Sequence, residues 1–147
     1  ILCSLGTSQL KKINFFLKER KKIANFYNES FVDKSIFKTP KVNRFCEHSY
    51  HLFPLQINFE ILNINKKLFF KKMLERGIKL QVHYIPIYTQ EYYKKKFNIK
   101  KKFFPIAENF YKKVVSLPIH PSLNNKQLKY IVKNILNLCK KNKKNEK

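Results

Sequence analysis

Residues 81–93, which read QVHYIPIYTQEYY, decide how the rest of this chain is interpreted. They place one His, four Tyr and one Pro shortly after Gly77, where a helix is predicted to end. Aromatic rings offer flat apolar surface, phenol groups offer hydrogen-bond donors, and a His can titrate near neutral pH. The stretch therefore predicts one edge of a small-molecule pocket, centred on His83, Tyr84 and Tyr88.

The residues around this stretch alternate between strand-like and helix-like patterns. Compact apolar runs, Asn residues suited to capping and the helix stop at Gly77 divide the chain into short elements. Strands are predicted at 50–58, 78–84 and 114–117, and helices at 65–76, 106–113 and 124–139. Pro54 predicts that the first strand lies at an edge or contains a bulge. The order predicts an α/β domain over residues 48–139, with a three-stranded sheet and flanking helices.

The first part of the chain has the pattern of one long helical segment. Apolar residues recur at three- and four-residue steps over residues 5–31, with a bend expected near Asn14, which could cap a second helix. The apolar face is larger than the α/β layer needs, so we expect it to pack on a surface outside this sequence. Residues 32–47 have no period and predict a linker, and residues 94–102 predict a solvated loop. The charged residues 140–147 predict a frayed tail.

The composition is strongly basic, with 32 Lys and Arg against 9 Asp and Glu and a formal charge of +23. Such a charge is compatible with a module that binds nucleic acid or another polyanion. Only three of the basic residues are Arg, whereas phosphate and base recognition favour the guanidinium group. Lys is also accompanied by abundant Asn, Ile and Phe, which favours a genome-wide compositional bias over a selected binding patch.

Several classes of protein are not favoured by the sequence. Cys3, Cys46 and Cys139 form no CxxC pair and have no His at ligand spacing, which predicts reduced thiols in a cytoplasmic protein and no metal site. Apolar runs are short, so no membrane span is predicted. The opening ILCSLGTSQL resembles the middle of a helix rather than a signal peptide, so we expect the sequence to begin inside a longer protein.

Catalytic motifs are absent from the sequence. The serines lack a Gly-rich elbow, the two Gly cannot form a phosphate loop, and the carboxylates are scattered. Four His remain, of which His51 could join His83 at one rim of the sheet. The alternative is that His48, His51 and His120 are strand-end residues that bond to nearby backbone. The Lys runs predict solvated faces, or alternatively a surface that attracts an anionic substrate.

Motifs in a consistent order resemble the DegT/StrS-type sugar aminotransferase family. They are LGTSQL at residues 5–10, SYHLFP at 49–54, VHYIPIY at 82–88, FPIAE at 104–108 and SLP at 116–118. The SYHLFP and HYIPIY variants are most similar to the subgroup that acts on UDP-4-keto-6-deoxy-N-acetyl-hexosamines in pseudaminic acid synthesis. The resemblance covers residues 1 to about 136.

The resemblance implies a pyridoxal-phosphate enzyme of fold type I that moves an amino group from L-glutamate to a nucleotide-linked keto sugar. In that family the Schiff-base Lys and most of the cofactor site belong to a large N-terminal domain. This sequence would then supply the helical end of that domain (1–31), the linker and the small C-terminal domain. By the same likeness His83, Tyr84 and Tyr88 would line the substrate site, with His51 as a further candidate, in a homodimer.

No catalytic residue is carried over from the family to this chain, since no Lys stands in the Schiff-base context. We therefore expect the chain alone to be inactive as a transaminase. Two alternatives remain beside the aminotransferase interpretation. One is the basic nucleic-acid or polyanion-binding module, and the other is an inactive, truncated paralogue that serves as a subunit partner.

Overall fold

Three antiparallel strands form the sheet in the computed structural model, which describes residues 2–98 and 100–144. The strands are β1 (Phe37–Lys38), β2 (Phe53–Ile57) and β3 (Val114–Leu117). Their order across the sheet is β1–β2–β3, so β2 is the central strand. Alternate β2 residues are fully buried, as expected for a strand that covers a core with one face.

Six α-helices accompany the sheet in the described part of the chain. They are α1 (Leu2–Leu10), α2 (Ile13–Ser30), α3 (Lys66–Leu74), α4 (Glu91–Phe97), α5 (Pro105–Lys113) and α6 (Asn125–Lys141). Three short 3-10 turns lie at Phe59–Ile61, Ile87–Thr89 and Lys101–Phe103. The arrangement confirms the predicted α/β class.

One hydrophobic core joins α2 to the sheet, to α3 and to α6. Tyr27 of α2 is fully buried, its ring lies 5.0 Å from that of Phe53, and its hydroxyl donates to the Pro118 carbonyl at 2.7 Å. Burial raises the pKa of the Tyr27 phenol well above its ordinary value, so the group remains a donor. Each large apolar side chain buried in this way contributes about 1.5–3 kcal/mol. The end of α2 is thus packed as part of the same unit as the sheet.

The membership of the sheet differs from the prediction. Residues 78–84 form no strand, because only Gln81 pairs with β3, exchanging bonds of 2.8 and 3.3 Å with Ser116. Ile78 and Leu80 are nevertheless buried, so their alternation reflects packing on the core rather than strand pairing. The third strand is instead β1, which lies within the segment predicted to be a linker.

Pro54 occupies the central strand, whereas the sequence predicts an edge or a bulge. It lies opposite Ser116, whose N–H and C=O both bond to Gln81 on the far side of β3. The Pro54–Ser116 pair therefore needs no hydrogen bond from Pro54. On the other side, β1 reaches only Gln56 and Ile57, so the chain tolerates a residue without an N–H at this point.

Asn side chains cap two of the predicted helices. The Asn65 side chain accepts from the Leu68 N–H at 2.8 Å, and Asn124 forms a reciprocal capping box with Gln127. On α3, Phe69 and Met73 are buried, whereas Leu68 and Leu74 are exposed. On α6, Leu138 is buried and Leu136 is half-buried.

The basic stretch from residue 94 is partly helical, so the predicted loop is wrong there. Helix α4 ends at Asn98, which takes the left-handed conformation with φ +46°. Lys94, Lys95 and Lys96 occupy its last turn, where positive charge interacts favourably with the helix dipole. The number of Lys residues favoured a solvated loop in the sequence analysis. Their position in the structure, however, is suited to the C-terminus of a helix.

The predicted frayed tail is ordered through residue 144. Helix α6 continues to Lys141, and the Asn63 N–H donates to the Asn142 carbonyl at 2.6 Å. The Lys144 N–H donates to the Ile61 carbonyl at 3.1 Å. These bonds attach the end of α6 to the 3-10 turn after β2, while residues 145–147 lie outside the described residues.

The N-terminal helical segment divides near the predicted bend, but Asn14 does not cap the second helix. Helix α2 begins at Ile13 after Lys12, which makes no side-chain cap. Toward its end Ile23 and Ala24 are buried, whereas Leu5, Leu10 and Phe15 are 56%, 68% and 56% exposed. The apolar surface predicted to exceed the needs of the layer is thus uncovered in this structure.

Replacing Gly77 with Ala is expected to destabilise the chain by about 1–2 kcal/mol, because Gly77 has φ +71°. No heavy atom lies within 4 Å of an added Cβ there, so the cost is conformational. Gly6→Ala, in the interior of α1 and equally open, is the matched control and should stabilise by about 0.5–1 kcal/mol. Urea unfolding measures both, and an equal sign for the two variants would contradict the left-handed turn.

Candidate functional site

Tyr88 is the residue of the 81–93 segment that is buried and hydrogen-bonded to another part of the fold. It lies in the 3-10 turn Ile87–Thr89 and is only 8% exposed. Its hydroxyl donates to Glu108 Oε1 at 2.9 Å, and its ring stacks on that of Phe104 with centroids 4.5 Å apart and planes 9° apart. Phe104 and Glu108 belong to the start of α5, so the turn is held against that helix by a stack and a hydrogen bond.

The electrostatics of this contact keep Tyr88 protonated. Desolvation raises the pKa of its phenol, and the hydrogen bond to Glu108 and the negative charge of that carboxylate raise it further. Tyr88 therefore acts as a donor at neutral pH and Glu108 as the acceptor. The sequence indicated Tyr88 but gave no reason to pair it with a carboxylate 20 residues away.

His83 is half-buried, and one of its ring nitrogens lacks a partner. Its Nδ1 is buried and makes no hydrogen bond to any of the described residues. The ring meets that of Tyr84 edge-on at 4.9 Å, and Tyr84 itself is 74% exposed. A buried polar atom without a partner costs about 1–3 kcal/mol, so a group supplied by a ligand or by another part of a larger protein would stabilise this position.

His51 and His83 belong to segments on opposite sides of β3. Phe53 lies opposite Leu117 on one side, so His51, two residues before Phe53, approaches the end of β3. Gln81 pairs with Ser116 on the other side, but this is an isolated bridge, and His83 itself has no strand partner. Strand pairing therefore does not join the segments of His51 and His83, and their meeting at one rim stays a prediction.

Of the two remaining His residues, His48 forms the predicted hydrogen bond to nearby backbone. The His48 Nδ1 accepts the Tyr50 N–H at 2.8 Å, which is a strand-end bond to nearby backbone. His120 is exposed and lines a groove of about 550 Å³ between the end of β3 and α6, with Ile78, Tyr130 and Lys126 among the other lining residues. Tyr92 is 61% exposed and Tyr93 is half-buried, so neither ring is part of the buried core.

A second groove, of about 530 Å³, lies between α3 and α5, and Val82 is one of its lining residues. It holds Lys66, whose Nζ donates to the Tyr111 carbonyl at 2.6 Å and lies 4.9 Å from the centre of the Tyr111 ring. Burial lowers the pKa of the Lys66 amine to about 8. Sequence reasoning missed this residue, since nothing in a Lys-rich chain distinguishes one Lys from the next.

Comparison with known proteins decides the family. The model of the DegT/DnrJ/EryC1/StrS aminotransferase family matches residues 1–136. The chain belongs to this aminotransferase family. The segment that carries His83 and Tyr88 and the start of α5 both fall within the matched range.

Individual members of the aminotransferase family are similar over nearly the whole chain. The UDP-4-amino-4,6-dideoxy-N-acetyl-beta-L-altrosamine transaminase of Campylobacter jejuni subsp. jejuni serotype O:2 is 36% identical over 144 residues, which is 98% of this chain and 38% of the relative. The solved structure of Helicobacter pylori PseC, an aminotransferase involved in the biosynthesis of pseudoaminic acid, is 33% identical with a TM-score of 0.81. It covers 93% of this chain and 36% of PseC.

The fold also matches a more distant solved structure. The PLP-form of Spr1654 from Streptococcus pneumoniae gives a TM-score of 0.83 at 24% identity, covering 94% of this chain and 35% of that protein. The chain therefore spans little more than a third of the length of the proteins that it matches.

The groove at Lys66 does not form a site for pyridoxal phosphate. The aldehyde of that cofactor needs a Lys amine, and its ring nitrogen is commonly paired with a carboxylate. Lys66 has an amine of lowered pKa, but its groove is lined by Lys67, Phe70, Val82, Tyr111 and Lys112, without a carboxylate. This groove therefore lacks one of the two groups that the cofactor needs.

Two further findings apply to residues 2–98 and 100–144. Within them, no three His, Cys, Asp or Glu side chains are grouped so that they could hold a metal ion. None of their helices combines the length and the apolar character needed to cross a membrane.

Proposed function

We propose that this chain is the C-terminal portion of a sugar-nucleotide aminotransferase. The complete enzyme would move an amino group from L-glutamate, by way of pyridoxal phosphate, to the C4 ketone of a nucleotide-linked 4-keto-6-deoxy sugar. The product would serve the synthesis of pseudaminic acid or a related surface glycan. The observation that carries the proposal is the similarity of 98% of the chain to a UDP-amino-sugar transaminase.

The small-domain residues would cover and position the sugar nucleotide. His83 presents a buried Nδ1 with no partner among the described residues, and Tyr84 beside it is exposed, so both have capacity for a hydrogen bond to a ligand. Tyr88 is held by Glu108 and Phe104, which would fix one end of the segment that carries the other two residues. His51, which lies just before β2, is the further candidate for contact with substrate.

The remainder of the enzyme would supply what these residues do not form. Pyridoxal phosphate acts as an electron sink when bound, and we assign its site to the large domain of the complete protein. Residues 1–31 would be the helical end of that domain, with 32–47 as the connection and 48–139 as the small domain. The exposed Leu5, Leu10 and Phe15 would then be covered by the large domain or by the second subunit of a homodimer.

A chimera tests the proposal directly. In the chimera, residues 1–147 replace the corresponding C-terminal segment of the Campylobacter jejuni transaminase. The N-terminal part of the chimera is that of the Campylobacter jejuni protein. We expect the chimera to aminate a UDP-4-keto-6-deoxy-N-acetyl-hexosamine with L-glutamate as the donor. Formation of the amino sugar nucleotide is measured by chromatography and mass spectrometry, and cofactor binding by its visible absorbance.

Two controls accompany the chimera. The chain of residues 1–147 alone should show neither the cofactor absorbance nor the product. The second control is the Campylobacter jejuni protein truncated before the same segment. Its activity is that of the N-terminal part alone, so any higher activity of the chimera comes from residues 1–147. A chimera that folds and binds cofactor, yet is no more active than the truncated protein on any UDP-keto-sugar, would contradict the proposed function.

A further inference from the structure

We propose that Lys66 is a site of covalent modification by small anionic acyl donors, with acyl phosphates as the chemical class. The proposal is independent of the aminotransferase function. It rests on the position of one amine in the groove between α3 and α5, on the apolar surroundings of that amine, and on the charge around the groove.

The geometry sets Lys66 apart from a solvated lysine. Its Nζ lies 4.9 Å from the centre of the Tyr111 ring and 6.0 Å from that of Phe70, and it donates to the Tyr111 carbonyl at 2.6 Å. Phe70, Val82 and Tyr111 also line the groove, which has a volume of about 530 Å³ and so admits a small reagent beside the amine. The amine is held in a fixed place that is both apolar and open.

Burial of the amine favours its uncharged, reactive form. Burial lowers the pKa of Lys66 to about 8, whereas an ordinary lysine titrates near 10.4. At pH 7.5 this difference raises the unprotonated fraction roughly 200-fold. A less basic nucleophile is intrinsically weaker, by roughly tenfold if amines follow the dependence known for thiols. The net expectation is a rate of acylation on the order of ten times that of a solvated lysine.

The charge of the groove selects the class of reagent. Lys67 and Lys112 line it together with Lys66, and no Asp or Glu is among the described lining residues. An acyl phosphate carries negative charge on its leaving group and a small acyl group at the reacting carbon. The two flanking ammonium groups therefore attract the phosphate while the uncharged amine of Lys66 meets the carbonyl carbon.

The reaction balances without an additional reagent. The lone pair of Lys66 Nζ attacks the acyl carbon, a C–N bond forms, and the bond from that carbon to the phosphate oxygen breaks. Phosphate leaves with the electron pair, and the nitrogen loses a proton to solvent. The product is a neutral amide whose N–H can still donate to the Tyr111 carbonyl, so the groove is preserved while one positive charge is lost.

Acetyl phosphate is the probe for the test. The chain of residues 1–147 is treated with a limiting amount at pH 7.5, and the initial rate of acetylation at each lysine is measured by quantitative peptide mass spectrometry. We expect Lys66 to be modified about ten times faster than the median lysine. Its rate should level off by about pH 9, one unit above the pKa of about 8, because the amine is then largely unprotonated, whereas the median rate should continue to rise.

Matched variants separate the amine from the charge. Lys66→Arg keeps the charge, removes the signal at this position and should leave the other rates unchanged. The double variant Lys67→Gln with Lys112→Gln should slow acetylation of Lys66 by acetyl phosphate severalfold, but not its acetylation by the uncharged reagent N-succinimidyl acetate. Circular dichroism establishes that each variant is folded.

The following results would overturn the proposal. Lys66 could react at or below the median rate in the folded chain, or its rate could rise steadily to pH 10.5. The double variant could also affect the charged and uncharged reagents equally, which would remove the argument for an anionic donor. None of these results depends on transaminase activity, so failure here and failure of the proposed function are distinguishable.

Discussion

Replacing Phe53 with Ala is expected to lower the free energy of unfolding by about 3–5 kcal/mol. Phe53 begins the central strand, is fully buried, and packs its ring 5.0 Å from that of Tyr27. Truncation removes a large apolar side chain and leaves a cavity between the sheet and α2. Since domains are stable by about 5–15 kcal/mol, the loss is a large share of the total. Urea unfolding followed by circular dichroism measures it.

Two variants provide the comparison for Phe53→Ala. Phe53→Leu keeps most of the buried volume and should cost roughly 1–1.5 kcal/mol. Phe103→Ala removes the same atoms from a side chain that is 63% exposed, so its effect should stay within about 0.5 kcal/mol. Equal effects at positions 53 and 103 would show that β2 is not the centre of the core.

His83→Ala in the chimera is expected to lower kcat/KM for the sugar nucleotide by about 10- to 100-fold. The Nδ1 of His83 is buried without a partner among the described residues, so a ligand that supplies one gains a desolvated hydrogen bond. Hydrogen bonds that involve a charged group contribute about 1.5–3 kcal/mol, which corresponds to this range of rates. Steady-state kinetics with the UDP-keto-sugar as the varied substrate measures the change.

Separate variants distinguish a substrate contact from a structural role. His83→Asn retains hydrogen-bonding capacity and should recover part of the loss, whereas His120→Ala, beyond the end of β3 and exposed, should change kcat/KM less than threefold. Tyr88→Phe removes the bond to Glu108 and should act through the position of the turn. If His83→Ala and His120→Ala have equal effects, the proposed role of His83 is wrong.

The parts of the fold that were predictable from sequence are those set by neighbouring residues. The caps at Asn65 and Asn124 and the left-handed stop at Gly77 depend on atoms within a few residues, and each is confirmed. The missing strand at 78–84 and the presence of β1 depend on which segments meet across the sheet. Alternation of apolar residues records burial, and burial against a helix or loop produces the same pattern as burial in a strand.

The candidate site shows the same division. Residues 81–93 could be selected from their composition, because His and Tyr are rarely so dense in a short segment. The contact of Tyr88 with Glu108 could not, because it follows from the packing of the 3-10 turn against α5. Lys66 could not be selected from the sequence for a further reason: its lowered pKa comes from burial of the amine, which the local sequence does not show.

The proline in the central strand has a consequence for the behaviour of the chain in concentrated solution. Beyond the two residues that β1 covers, the side of β2 facing away from β3 shows only the carbonyl of Pro54, because the backbone groups of Phe53 and Leu55 are directed to β3. A strand from another molecule would find no N–H there to donate to its carbonyl groups. This opening in the sheet is therefore a poor template for intermolecular strand addition, and it protects an aromatic-rich chain from one common route to aggregation.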